Sequence, residues 1–290
     1  MNTMIAIRRL SALLKQTGQS WLDHDASRIG AALAFYTLLA FAPLVILSIR
    51  IGALLFDGTR SEYQILQQIH ELAGSEAAKL AQAIIERTRE SSAGVPGSVL
   101  GILTLLLGAS GIFAELRSAL NVMWEIPPRG GNGILEFLKS RLLSVGMVVA
   151  GGFLLMGSLI VSAILAALGT YVGSLLPAPA PLLETLNFLI SLAGSATVFA
   201  LVLRYIPDAR LPWRAVWTGA LATAFLFTVG KSLIGLYLGR SAIGSPYGAG
   251  GSVLVVMAWV YYSAQIFLFG AEFTRTLGMG SENPAPAGVR

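Results

Sequence analysis

Charge is scarce in this chain. Only 12% of its 290 residues are Asp, Glu, Lys or Arg, while 55% are apolar. An ordinary soluble domain carries roughly 25% charged residues, and with half that number a water-soluble fold would expose large apolar patches. Cysteine is absent, which excludes disulfides, thiolate catalysis and cysteine-based zinc sites. Histidine occurs twice, as His24 and His70. RNA hydrolysis commonly uses carboxylates clustered on a metal, or a pair of histidines with a cation. His24 lies before the first apolar run and His70 beyond it, across the membrane in the topology below, so the two cannot act together. No Walker-type phosphate loop is present. Gly248-Ala249-Gly250-Gly251 is followed by an apolar run rather than Lys-Ser or Lys-Thr, and reads as a tight turn in which glycine permits positive φ. No metal and no cofactor is expected.

What the chain has in abundance is apolar length. Six runs extend from Ile29 to Phe56, Pro96 to Ala114, Leu142 to Leu176, Leu182 to Leu203, Trp213 to Leu238, and Ser252 to Ala271. A helix needs about 20 residues to cross a bilayer core. The expected fold is an all-α membrane bundle of about six transmembrane helices, the second and shortest run being the one that could be re-entrant. The start of the chain, MNTMIAIRRLSALLKQ, is broken by Arg8, Arg9 and Lys15 and has no cleavage site after it, unlike a secretory signal. The first run is therefore expected to be an uncleaved anchor.

The basic residues orient the bundle. Thirteen of the 20 Lys and Arg would share one side: Arg8, Arg9, Lys15, Arg28, Arg117, Arg129, Lys139, Arg141, Arg204, Arg210, Arg214, Arg275 and Arg290. By the positive-inside rule that side is cytoplasmic, with both termini in. The same asymmetry accounts for the net charge of +5 without a nucleic-acid partner. Residues 1–28 form a cytoplasmic amphipathic segment with a stripe at Leu10, Leu13 and Leu14, expected as an interfacial helix. Residues 29–276 form the membrane domain. Its external loop, 57–95, has helical periodicity at Ile65, Leu66, Ile69 and Leu72 and again at Ala77, Leu80, Ala81, Ile84 and Ile85. Two amphipathic helices packed on the span ends, or a lid over a cavity, are the alternatives there. The proline-rich stretch Pro177 to Pro181 is expected to turn outside, and residues 277–290 to be a disordered cytoplasmic tail.

Charged residues at the span ends are the candidate site. Arg28, Glu115, Arg117, Asp208, Arg210, Arg214 and Glu272 would gather near the cytoplasmic interface, with Glu125 and Arg275 nearby. Snorkelling and ordinary ion pairing is one reading. The other is a polar pocket between helices, with Glu115 and Glu272 facing basic partners. Asp23-His24-Asp25 reads as capping or solvation before the first span, because adjacent helical side chains do not face one another. Arg50 and Lys231 lie within apolar runs in the outer half of the membrane. Charges so placed cost roughly 2.5–3.5 kcal/mol at the bilayer centre and less near an interface. Either both snorkel outward or they form a lipid-binding pair for an anionic headgroup. Gln265 is an amide within an apolar run and a candidate for bonding across helices.

Three blocks carry a family resemblance: DHDASRIGAALAFYTLLAFAPL from Asp23, GIFAELRSALNVMWEI from Gly111, and RYIPDARLPWRAVWTGA from Arg204 followed by SPYGAGGSVLVVMAWVYYSAQIFLFGAEFTR from Ser245. Together they resemble the YihY/BrkB family of bacterial inner-membrane proteins, over residues 20 to 280. The resemblance implies a six-helix inner-membrane protein and brings no accepted reaction and no catalytic residues. It also implies associations with virulence and with envelope lipid transport, while an old ribonuclease BN label is regarded as misassigned. The expected function is transport or handling of an envelope lipid or other amphipathic anion, with no enzymatic activity. A non-transporting scaffold of an envelope complex is the alternative, and an enzyme such as a ribonuclease the third. Membrane lipids are the expected partners, with a homo-oligomer or envelope proteins as further ones.

Overall fold

A computed structural model describes residues 2–55, 58–90, 111–127, 180–208, 211–240 and 251–279, and all the secondary structure among them is helical. The helices are α1 (Asn2–Asp23), α2 (Ala26–Leu55), α3 (Gly58–Ala73), α4 (Ser75–Glu90), α5 (residues 111–123), α6 (Ala180–Tyr205), α7 (Trp213–Arg240) and α8 (Gly251–Met279). Three of them, α2, α7 and α8, contain stretches long and apolar enough to cross a membrane. Most of the expected second span and all of the third lie outside the described residues, as do Arg210 and residues 280–290. Two expected boundaries move. Helix α6 begins at Ala180, inside the stretch expected as a turn. Pro181 stands in its first turn, where a missing N–H breaks no helical bond. Helix α8 runs on to Met279, three residues into the expected tail.

Helix α8 is the centre of the bundle and packs on α1, α2, α4 and α7. Helices in lipid gain little from hiding apolar surface from one another, so close packing of small residues has to hold them. The α7–α8 pair does this reciprocally. A Cβ on Gly219 would collide with Thr274, and one on Gly270 would collide with Thr223. Each threonine hydroxyl then donates back to the glycine carbonyl of its own helix, Thr223 Oγ1 to Gly219 at 2.8 Å and Thr274 Oγ1 to Gly270 at 2.7 Å. Both buried hydroxyls are thereby satisfied without a partner across the interface. Helix α2 meets α8 at Gly30, where a side chain would strike Gln265. The Gln265 amide donates across the helices to the Ala26 carbonyl at 3.2 Å. Around these contacts Leu33, Leu120, Met123, Leu203, Val216 and Leu268 form the main core.

The loop expected outside folds as a helical hairpin. Gly74, at φ +86°, ends α3 and donates to His70 at 2.9 Å, a left-handed cap that favours glycine. Ala77, Ala81 and Ile85 recur at i+4 and are buried. Ala81 and Ile85 pack on Val45 of α2, with Phe41, Ile49, Leu66 and Ile69 around them. The hairpin thus packs against the end of α2. Ser252 at the start of α8 donates to Glu76 at 3.0 Å. The hydrogen bond from Lys79, with that from Ser252, holds the Glu76 carboxyl below the ordinary carboxylate range against the opposing effect of burial.

The N-terminal helix departs from the interfacial reading in its second half. Leu14 is exposed, but Thr17 is fully buried and Trp21 packs against the main core. Helix α1 therefore joins the bundle through its C-terminal turns.

The reciprocal glycine–threonine contact makes a prediction. Gly270→Val should destabilise the protein by roughly 1–3 kcal/mol through overpacking, read as a lowered thermal transition in detergent. Adding Thr223→Gly should restore much of the loss, whereas adding Thr228→Gly, away from that contact, should not.

Candidate functional site

The charged site is built where α1, α2, α5 and α8 meet. Helix α1 closes on the bonds from His24 N to the Ser20 carbonyl and from Asp25 N to the Leu22 carbonyl. Asp25 sits at φ 51°, and the chain then re-enters a helix as α2. This two-residue break, at His24 and Asp25, leaves His24 facing Glu272. Helix α5 ends with Ile126 N donating to the Asn121 carbonyl at 2.9 Å and Glu125 N to the Val122 carbonyl at 3.0 Å. That is a Schellman pair, with Glu125 at φ 55° in the position glycine usually takes. Asp25 and Glu125 are the two left-handed non-glycine residues among the described ones, and both flank this site. Such strain persists where the surroundings over-determine it. At Glu125 the result is a carboxylate aimed at α8.

The last turns of α8 supply the centre. Glu272 is fully buried and Arg275 is 6% exposed. The Glu272 carboxylate meets Arg275 Nε at 3.1 Å through one oxygen and His24 Nδ1 through the other. Arg275 Nη1 reaches Glu125 at 2.5 Å, and Nη2 donates to Ser20 Oγ at 3.1 Å. His24 Nε2 lies 3.8 Å from Glu125. The four groups form a closed ring of alternating acid and base, Glu272, His24, Glu125 and Arg275. A ring of this kind lets a carboxylate lie in an apolar bundle, because an unpaired charge there would cost several kcal/mol. For the imidazole to donate to Glu272, Nδ1 must carry the proton.

A second network lies on α5, one turn before the Schellman end. Arg117 grips Asp208 through Nη2 at 2.5 Å and Nε at 3.2 Å. Asn121 donates to Asp208 at 2.8 Å and accepts from the Asp208 backbone N at 3.0 Å. Together these fasten the loop after α6 to α5. Beside it, Arg204 donates to the Leu211 carbonyl and stands 5.3 Å from the ring centroid of Trp213. Arg204, Tyr205, Pro207, Asp208 and Trp213 line an open cleft of about 470 Å³.

Six of the seven residues expected at this end are described, and those six do not form one pocket. Glu272 lies at the heart of the ring, while Arg117 and Asp208 pair in the second network. Arg28 is exposed, 3.8 Å from Asp25, and Arg214 is exposed at the start of α7. Glu115 is half-buried and makes no ion pair among the described residues. His24 departs from the capping role expected of it and turns to Glu272. Of the outer pair, the side chain of Arg50 lies outside the described residues, and Lys231 is half-buried with a partner already in the fold. His24, Ser20 and Asn121 were missing from the expected site, and Glu125 and Arg275 were expected only beside it. The available signal was Glu272 and Arg275 at i, i+3 in an apolar helix, a pair that needs further neutralising groups. No group of three His, Asp or Glu able to hold a metal occurs among the described residues.

Comparison with known proteins gives consistent results. The model of the family described as Virulence factor BrkB matches residues 17–287. A UPF0761 membrane protein of Pseudomonas paraeruginosa is 30% identical over 87% of this chain and 59% of its own length. One from Verminephrobacter eiseniae is 26% identical over 94% of this chain and 66% of its own. One from Alteromonas mediterranea is 27% identical, with 87% and 82% covered. The chain thus spans about three-fifths of the length of the first of these relatives. No solved structure matches the chain.

The ring makes a prediction about stability. Glu272→Leu or Arg275→Met alone should cost roughly 1–3 kcal/mol, because each removes one of the two charged partners of the buried residue left behind. The double variant should recover most of that loss in thermal unfolding. Arg28→Gln, at an exposed residue, should stay within about 0.5 kcal/mol of the parent.

Proposed function

The chain belongs to the Virulence factor BrkB family of membrane proteins, and on that premise we propose that it binds and translocates an envelope lipid or another amphipathic anion in the bacterial inner membrane. Both termini are cytoplasmic in this proposal. Residues 29–276 form six spans and residues 57–95 lie outside. Arg50 and Lys231 belong to the same proposal as a phosphate contact in the outer half.

The observation that carries it is the ring around buried Glu272 and Arg275, closed by half-buried His24 and exposed Glu125. Ionisable groups inside membrane bundles are expensive and usually mark pathways or relays. A purely passive bundle could fill the same space with leucine at lower cost. The ring also ties the end of α1 and the end of α5 to α8, so breaking it would free that end of the bundle to open. The crowding of basic residues toward the same end supports attraction of an anion from the cytoplasmic leaflet.

The test is reconstitution of the full chain into vesicles containing a trace of fluorescent phosphatidylglycerol, with translocation read by bleaching the outer leaflet. The parent chain should bleach a larger fraction than protein-free vesicles, and the Glu272→Leu/Arg275→Met variant should slow this while remaining inserted. Correctly inserted parent protein that bleaches no more than empty vesicles would contradict transport and support the scaffold of an envelope complex instead.

A further inference from the structure

We propose that the cleft between α6 and α7 is a phospholipid site, holding the phosphate diester of an anionic lipid on Arg204 between Tyr205 and Trp213 with an acyl chain laid along the exposed ridge of α7. This rests on the lipid-handling reading for the class of ligand, and it names a place and a contact that the ring does not.

The headgroup end follows from charge. Arg204 is half-buried in the wall of the cleft, and among the described residues its one hydrogen bond is to the Leu211 carbonyl. A guanidinium has five N–H donors in a planar fork, so most of that fork remains for an anion. The carboxylate in the cleft, Asp208, is gripped by Arg117 and Asn121. Asp208, Arg117 and Arg204 together sum to one positive charge. Planar bidentate recognition of phosphate is what a guanidinium does best. Tyr205 and Trp213 stand edge to face at 6.3 Å and are 65% and 42% exposed. Rings with one apolar and one polar edge settle at the headgroup level of a bilayer.

The acyl end follows from the ridge that begins at the same tryptophan. Trp213, Trp217, Leu221 and Phe225 recur at i+4 and are all exposed. They cover about 18 Å of helix at 1.5 Å per residue, close to the ~15 Å depth of one leaflet's hydrocarbon. The ridge continues through Val229 and Leu233 to Tyr237, so aromatic residues stand at both ends, as at two membrane interfaces. A protein partner on this ridge would have to bury the Arg204 guanidinium with it, at the cost of a desolvated charge. A phospholipid supplies a counter-charge and a chain of matching length at once.

Native mass spectrometry of the full chain in detergent, titrated with phosphatidylglycerol, tests the site. One lipid should bind more tightly than phosphatidylcholine and be released by high salt. Arg204→Gln should weaken it on the order of ten-fold, the loss of one charge-assisted contact. Arg214→Gln, outside the cleft, should leave it within about two-fold. Millimolar inorganic phosphate should not displace the lipid. Parental affinity in folded Arg204→Gln protein, or displacement by inorganic phosphate, overturns the site. Should Arg204→Gln fail to fold, brominated phosphatidylglycerol must quench tryptophan emission more than brominated phosphatidylcholine, and Trp213→Phe with Trp217→Phe must remove that difference. No such difference in the parent also overturns the site. Lost binding with unchanged translocation would keep the site and detach it from the proposed function. Unchanged binding in folded Arg204→Gln protein, beside translocation by the parent, would do the reverse.

Discussion

A carboxylate cannot lie fully buried in a membrane bundle without charge brought to it, and Glu272 sets that demand at the end of α8. Arg275, one turn on, meets part of it from the same helix. The guanidinium then needs more acceptors than one carboxylate offers, and these come from Glu125 and Ser20. His24 closes the circuit to the second oxygen of Glu272. Satisfying two α8 residues thus fixes where α1 must end, where α2 must begin and where α5 must stop. The left-handed residues Asp25 and Glu125 are the backbone consequences. Each costs of order 1 kcal/mol or more, a cost offset by the desolvated charge that would otherwise stand alone.

The rest of the bundle is arranged so that α8 can be enclosed. Gly270 and Gly219 remove side chains where α7 crosses, and Gly30 does the same for α2. This brings backbones close without requiring polar atoms to bridge the gap, since the threonine hydroxyls turn back to their own helices. The opposite face of α7 is exposed, with Trp213, Trp217 and Phe225 along it. Helix α7 therefore joins the enclosed core to the exposed surface, and the Arg204 cleft lies at its start.

Much of this fold was legible in the sequence because apolar length and helical period are local properties. The first, fourth and fifth apolar runs coincide with α2, α6 and α7 within a few residues, and the sixth lies inside α8, which runs eight residues beyond it. Both amphipathic stretches of the loop are helices, with Ala77, Ala81 and Ile85 on the buried face. The site was less legible, because pairing across long separations leaves no periodic trace. His24 and Glu272 are 248 residues apart, and Asn121 and Asp208 are 87 apart. The rule that neighbouring side chains on a helix point apart misled at Asp23-His24-Asp25, since the helix breaks there. Arg204 and Trp213 were read separately, as a loop charge and a span start, because their contact depends on the loop that folds them together.

The central claim is that the Glu272 ring holds the C-terminal turns of α1 and the end of α5 onto α8. Hydrogen exchange on the reconstituted chain measures this directly, comparing the parent with Glu272→Gln, which keeps shape and removes charge. The account predicts faster exchange at residues 20–29 and 121–126 in the variant, with the α3–α4 hairpin unchanged because it packs at the far end of α2. Equal protection of residues 20–29 and 121–126 in both proteins would show that the ring holds nothing, and would contradict the account.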